Sequence, residues 1–130
     1  MRVYNKWHFM IKNELKKVNL THPQFVVLAS LAYLSQNNIE VTQVMISKIS
    51  GIDVMTVSQI LNLLEKHNFV KRKEHSKDTR AKTVVLNKKG EEILQKAVPL
   101  VERIDEIFFG KLDNDEDRFK QILAKLNQEL

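Results

Sequence analysis

A length of 130 residues and an apolar fraction of 43% fit a single globular domain, and the absence of cysteine excludes disulfides, thiolate metal sites and cysteine-based redox sensing. The formal net charge of +5 is unevenly placed: Lys66, Lys71, Arg72, Lys73, Lys77, Arg80, Lys82, Lys88 and Lys89 face only Glu74 and Asp78, giving +7 between 66 and 89 and −2 elsewhere. Charge concentrated in this way is the footprint of a protein that meets a polyanion, whereas a merely solubilising surface spreads it.

The chain opens with Tyr4, Trp7, His8, Ile11 and Leu15 at three- and four-residue steps, a one-sided apolar stripe that predicts a helix over residues 1–18. Trp7, His8 and Lys12 interrupt its apolar run, so the segment does not read as a signal peptide, and no run approaches the roughly 20 apolar residues of a membrane span. The expectation is a cytoplasmic protein without membrane contact. Thr21 followed by Gln24 is a capping box, with Leu20 and Phe25 as its hydrophobic staple, and starts a second helix. Val27, Leu28, Leu31, Ala32 and Leu34 make that helix apolar on most sides, and Gln36, Asn37 and Asn38 end it.

Ile39 and Val41 mark a brief extended piece before Thr42, the N-cap of a third helix that carries Val44, Met45, Ile46 and Ile49 and stops at Gly51. Ile52 and Asp53 restart the chain as staple and N-cap of a fourth helix, whose buried stripe is Val57, Ile60, Leu61 and Leu64. A short helix, a turn with glycine and a second amphipathic helix form a helix-turn-helix, whose second helix enters the major groove. Its outer face offers Met55, Thr56, Ser58, Gln59 and Asn62. These are mostly hydroxyl and amide groups that read base edges, although an ordinary solvated face has a similar composition. No Arg or Lys lies in its first two turns, so the commonest guanine contact is absent and A·T-leaning sites or reading by shape are expected.

After His67 and Asn68 the period becomes extended over 69–74 and again over 83–86, with the polar run 75–82 between them: a β-hairpin with a long basic tip, or wing. Asp78 and Arg80 lie two residues apart, so the carboxylate is placed to hold the guanidinium in one direction, as suits a narrow minor groove. Asn87 then caps a long helix through Ile93, Leu94, Ala97, Leu100, Val101, Ile104, Ile107 and Phe108, which Pro99 should kink and Gly110 should end. Asp113 and Glu116 form a capping box for a last helix with the stripe Phe119, Ile122, Leu123, Leu126 and Leu130. Neither terminal segment looks able to close a core alone, so a symmetric dimer is expected.

The stretch from Val41 to Val70, VTQVMISKISGIDVMTVSQILNLLEKHNFV, resembles the helix-turn-helix of the MarR family of bacterial transcription regulators, and the stretch from Asp78 to Gly90, DTRAKTVVLNKKG, is similar to that family's wing signature. The Asp78 and Arg80 pair is the most specific element, and the flanking helices match by pattern and length. The resemblance implies a mainly α fold with a small β-hairpin (α+β), a winged helix-turn-helix core with N- and C-terminal dimerisation helices. It divides the single domain 1–130 into a DNA-binding lobe, 20–90, and dimerisation helices, 1–19 and 91–130. It implies a homodimer on double-stranded DNA, repressing transcription and released by a small anionic or phenolic effector. Met55, Thr56, Ser58, Gln59 and Asn62 become the groove-facing set, Lys77, Asp78, Arg80 and Lys82 the wing contacts, and Thr42, Gln43 and Lys73 contacts to the DNA backbone. Tyr4, Trp7, His8 and Tyr33 are the expected lining of an effector pocket. Two departures are Gln59, where the family often has arginine, and Asn87, where it commonly has threonine.

The alternatives are thinner. There is no Gly-rich phosphate loop, nucleophile elbow or paired-carboxylate spacing, so no enzyme and no cofactor is expected. His8, His22, His67 and His75 are scattered and predict no metal site. A winged helix serving as a protein- or RNA-interaction module needs neither a basic wing nor a polar reading face.

Overall fold

The computed structural model describes residues 1–128. Helix α1 (Arg2–Leu15) runs into a short 3-10 turn (Lys16–Val18), and α2 (His22–Ser35) follows. The boundary between them is set locally: Thr21 Oγ1 accepts from the Gln24 N–H at 3.2 Å, and the Gln24 side chain accepts from the Thr21 N–H at 3.0 Å. Strand β1 (Val41–Thr42) leads into α3 (Gln43–Ser50), capped by the Thr42 hydroxyl, and α4 (Val54–Lys66) follows after a turn. Gly51 ends α3 at φ +76°, a conformation that an L side chain resists, so the chain can reverse there. The two helices cross at 112°, the angle of a helix-turn-helix.

Strands β2 (Val70–Glu74) and β3 (Lys82–Leu86) pair antiparallel with Arg72 opposite Val84, and β1 adds to the outer edge of β3. The sheet is therefore three-stranded, in the order β1-β3-β2: the expected hairpin is joined by the brief extended piece before α3, whose pairing with β3 lies 41 or more positions away and has no local signal. Helix α5 (Lys88–Phe109) continues through Pro99 as one element, a 3-10 segment (Gly110–Asp115) follows, and α6 (Glu116–Leu126) closes the chain.

A continuous core joins Ile11 and Leu15 of α1, Val27, Leu28 and Leu31 of α2, Ile46 of α3, Leu61 and Leu64 of α4, Val84 of β3 and Leu94, Ala97 and Val101 of α5. Gly90 lies where α5 meets the turn after α4; a Cβ there would sit 2.2 Å from the Phe69 carbonyl oxygen, so the close approach requires glycine. Helix α6 buries none of its residues: Ile122, Leu123 and Leu126 are exposed, and Leu130 lies outside the described residues.

Two expected caps are not made. The N-cap position of α6 falls to Asp115 without a side-chain bond, because Asp113 sits at φ 49°, ψ −119° and breaks the run. Asn87 occupies the N-cap of α5, but its amide NH2 donates to the Asn68 carbonyl at 3.2 Å and the Asn68 side chain at 3.1 Å. It thereby ties down Asn68, which holds φ 63°.

Candidate nucleic-acid interface and adjoining cavity

The outer face of α4 begins at its cap. Asp53 accepts from the Thr56 N–H at 3.1 Å and from the Thr56 hydroxyl, and these bonds hold its carboxyl below the usual carboxylate range. The Thr56 hydroxyl proton is thereby committed, leaving an acceptor oxygen. Met55 is 74% exposed, Gln59 is exposed, and Ser58 is half-buried beside them. Gln59 makes no side-chain hydrogen bond among the described residues, so it keeps both halves of its amide for a partner.

Asn62 and Gln43 are less free, through a residue that charge counting alone did not single out. Arg72, half-buried on β2, donates through Nη1 to Gln43 Oε1 at 3.1 Å and through Nη2 to the Asn62 side-chain oxygen and to Glu65 Oε1 at 3.2 Å. Its backbone N–H also donates to Glu65 Oε2 at 3.2 Å. The Arg72 hydrogen bonds hold the Glu65 carboxyl below its ordinary value. One guanidinium thus ties the start of α3, the third turn of α4 and the first wing strand together. With an Arg72 hydrogen bond already on each oxygen, the Asn62 and Gln43 amides are turned toward the wing strand, so a bidentate adenine contact from Asn62 has to share its oxygen with Arg72. The signal was strand parity: the alternation that points Val70 inward points Arg72 the same way.

The wing tip is closed by His75. Its Nδ1 accepts from the N–H groups of Lys77 at 3.1 Å and Asp78 at 3.3 Å, so its ring proton sits on Nε2, directed at Glu40 at 3.2 Å. The Ser76 hydroxyl and N–H also donate to Glu40, holding that carboxyl below its usual value. Asp78 Oδ1 accepts from the Arg80 N–H at 3.1 Å and from Arg80 Nε at 3.4 Å, while the Arg80 side chain remains 92% exposed. The carboxylate fixes the near end of that side chain and leaves the guanidinium nitrogens beyond Nε to solvent. Lys73, Lys77 and Lys82 are exposed around it, and the Thr42 hydroxyl caps α3.

Of the four residues expected to line an effector pocket, Tyr4, Trp7 and His8 meet one another and their helix neighbours, and none of the four lines the cavity described below. Tyr4 stacks on His8, His8 stacks on His22 with their Nδ1 atoms 2.7 Å apart, and Trp7 donates to Asp105 of α5 at 2.8 Å. Burial pushes the His22 imidazole below its usual pKa, with His8 adding to this and Asp105 partly offsetting it. Tyr33 lies apart, exposed on α2. Trp7 and His8 hold α1 to α5 and α2, while Tyr4, half exposed, stacks within its own helix. A cavity of about 770 Å³ lies between the end of α2, the outer part of the sheet and α5, with Ala32, Ile39, Val84, Leu86, Leu94 and Val98 among its walls, and a second of about 520 Å³ lies between α5 and α6, lined by Asp105 and Phe109 among others. Among the described residues no group of three or more His, Asp or Glu side chains is placed to hold a metal ion, and no single helix is long and apolar enough to cross a membrane.

Comparison with known proteins agrees with this geometry. Residues 16–104 match the family described as ArnR1-like, winged-helix domain. The chain is 35% identical over 104 residues to the HTH-type transcriptional regulator YdcH of Bacillus subtilis (strain 168), covering 80% of this chain and 71% of that one. Among solved structures it superposes on BpsR of Bordetella bronchiseptica, whose DNA binding is regulated by 6-hydroxynicotinic acid, with a TM-score of 0.87 and 25% identity over 99% of this chain and 90% of that one. It has the fold of Escherichia coli MarR in complex with operator DNA, with a TM-score of 0.86 and 23% identity over 98% and 89% of the two chains. The winged-helix family match over residues 16–104, the 35% identical HTH-type regulator and a fold shared with MarR-family structures from end to end place this chain in the MarR family of winged helix-turn-helix transcriptional regulators.

Proposed function

We propose that this regulator is a ligand-responsive repressor that binds a pseudo-palindromic operator as a homodimer. Each protomer places α4 in a major groove and its wing arginine in the flanking minor groove. The observation that carries the reading is Arg80, 92% exposed at the tip of a wing whose turn is closed by His75 and whose orientation is set by Asp78. In a narrow minor groove an arginine already aimed loses less freedom on binding. Met55, Ser58 and Gln59 meet base edges, Lys77 and Lys82 support the wing, and Thr42, Gln43 and Lys73 lie along the phosphates. The exposed α6 face of Ile122, Leu123 and Leu126, with half-buried Phe119 beside it, supports dimerisation, since an apolar stripe of that kind needs a covering surface.

Ligand response is supported by one linkage. The chain between α2 and β1 forms part of the cavity wall at Asn38 and Ile39, and the next residue, Glu40, holds His75 and Ser76 of the wing. A molecule that displaces this wall displaces the wing with it.

The test is a titration on duplexes from the region around the gene at several salt concentrations. Affinity should fall steeply with salt, and Arg80→Ala should lower the slope of log K against log salt by about 0.9 for the lost phosphate-proximal cation. An unchanged slope and affinity in that variant would refute the wing assignment. Equal affinity for RNA of the same sequence would favour an RNA-interaction module instead.

A further inference from the structure

The walls of the cavity carry a chemical preference. Among the described residues that line it there is no lysine, arginine or histidine, and the one charged side chain is Glu91. Glu91, Gln95 and Pro99 follow one another at four-residue steps along α5, so they share a face, and all three line the cavity. Pro99 has no N–H, so the Gln95 carbonyl lacks the donor that a helix normally supplies from four residues on. Asn38 adds an acceptor: its NH2 group donates to the Leu34 carbonyl at 2.8 Å, and its side-chain oxygen makes no hydrogen bond among the described residues. Ser35 and Gln36 add a hydroxyl and an uncharged amide, and the rest of the wall, Ala32, Ile39, Val41, Val84, Leu94 and Val98 among it, is apolar. Glu91 also lies in the first turn of α5, where its full negative charge outweighs the roughly half positive charge of the helix end, so the helix dipole does not turn the site toward anions.

We propose that the cavity takes an organic cation, an apolar body carrying a protonated amine or iminium, with the charge at Glu91 and the Gln95 carbonyl and the body against the aliphatic walls. This rests on the reading of the cavity as the effector site and changes the class of effector: a carboxylate or phenolate there would face the Glu91 carboxylate with no cationic side chain on the wall to pair with.

The experiment uses two xanthene dyes of closely similar skeleton and opposite charge, cationic rhodamine 6G and anionic fluorescein, titrated with the full-length protein and followed by fluorescence polarisation. The protein's net charge of +5 biases non-specific binding toward fluorescein, so a preference for the cation has to come from the site. Rhodamine 6G should bind at least tenfold more tightly than fluorescein. Glu91→Gln should weaken rhodamine binding roughly three- to fivefold, as expected for a partly solvated ion pair, without weakening fluorescein. Pro99→Ala, which restores a donor to the Gln95 carbonyl, should also weaken the cation. Val98→Trp, which fills the cavity, should abolish binding of the cation. If both dyes bind, both are lost in Val98→Trp and fluorescein binds as well as rhodamine, the cavity is a ligand site and the cation assignment is overturned. If Val98→Trp folds, as judged by circular dichroism, and leaves rhodamine binding unchanged, or if neither dye binds at up to 100 times the protein concentration, the effector site itself is overturned.

Discussion

Replacing Arg72 by alanine tests whether the recognition helix and the wing are held as one body. The substitution removes hydrogen bonds to Gln43 at 3.1 Å, to Asn62 and to Glu65 at 3.2 Å. Each guanidinium-to-amide hydrogen bond at this partly solvated site contributes about 1 kcal/mol net, and the Glu65 pair, with the carboxylate side chain 41% exposed, adds at most about 1 kcal/mol after screening. Gln43 and Asn62 can rehydrate, so the expected loss is roughly 1.5–2 kcal/mol. With a urea slope of about 1–3 kcal/mol per molar, the unfolding midpoint should fall by roughly 1 M when both proteins are compared at equal concentration. Part of the loss depends on pH. Glu65 has a depressed pKa in the folded protein, so its contribution is present above the ordinary value of 4.5 and is lost as pH falls through the folded value. The gap between wild type and variant should therefore narrow on acidification below about 4.5. DNA binding separates a positioning role from direct contact: affinity should fall while the salt slope stays the same, because Arg72 is spent inside the protein. A loss under 0.5 kcal/mol, or a salt slope reduced by about 0.9 as for a phosphate contact, would refute this reasoning.

Gly90→Ala places a Cβ 2.2 Å from the Phe69 carbonyl oxygen and should cost about 2–4 kcal/mol by thermal or urea unfolding; a cost below 1 kcal/mol would mean that the turn after α4 yields easily. His22 has a lowered pKa in the folded protein, so between that value and the ordinary 6.5 the unfolded chain binds more protons. Stability should therefore decrease as pH is lowered through this window, by at most about 1.4 kcal/mol per unit for one proton, and His22→Gln should flatten the dependence. Truncation before Asp113 removes the exposed face of α6 and should give monomers or insoluble protein in sedimentation; a soluble dimer after that cut would place the dimer surface elsewhere.

What the sequence made legible is chemistry that closes within about four residues. Thr21 with Gln24, Thr42 with the Met45 N–H, Asp53 with Thr56 and Gly51 at φ +76° each resolve a chain direction locally, and all stand where their sequence signals put them. The local rule failed where a longer partner competed. Asn87 has the identity of a cap, yet its amide goes to Asn68, 19 residues back, because a left-handed asparagine there needs holding more than a helix end that already meets water. Asp113 and Glu116 have capping-box spacing, but the backbone at Asp113 leaves the helical region and takes the geometry away.

The cavity and the Arg72 network have a common cause for their invisibility. The cavity's walls come from residues 32–41, 84–86 and 91–99, and Arg72 meets Gln43 across 29 positions, so neither has a spacing to recognise. The aromatic stripe of α1 does have such a spacing, and that made it the conspicuous candidate for a pocket. Yet regular spacing records that a helix face is committed to packing, which is where Trp7 is found, bonded to Asp105 98 positions away. Residues that break a helix's own apolar pattern carry different information. Pro99 removes a donor, and Glu91 puts a carboxylate on the same exposed face, which is the face that lines the cavity. A sequence reading that followed the irregular positions of α5, rather than the regular ones of α1, would have arrived at the cavity.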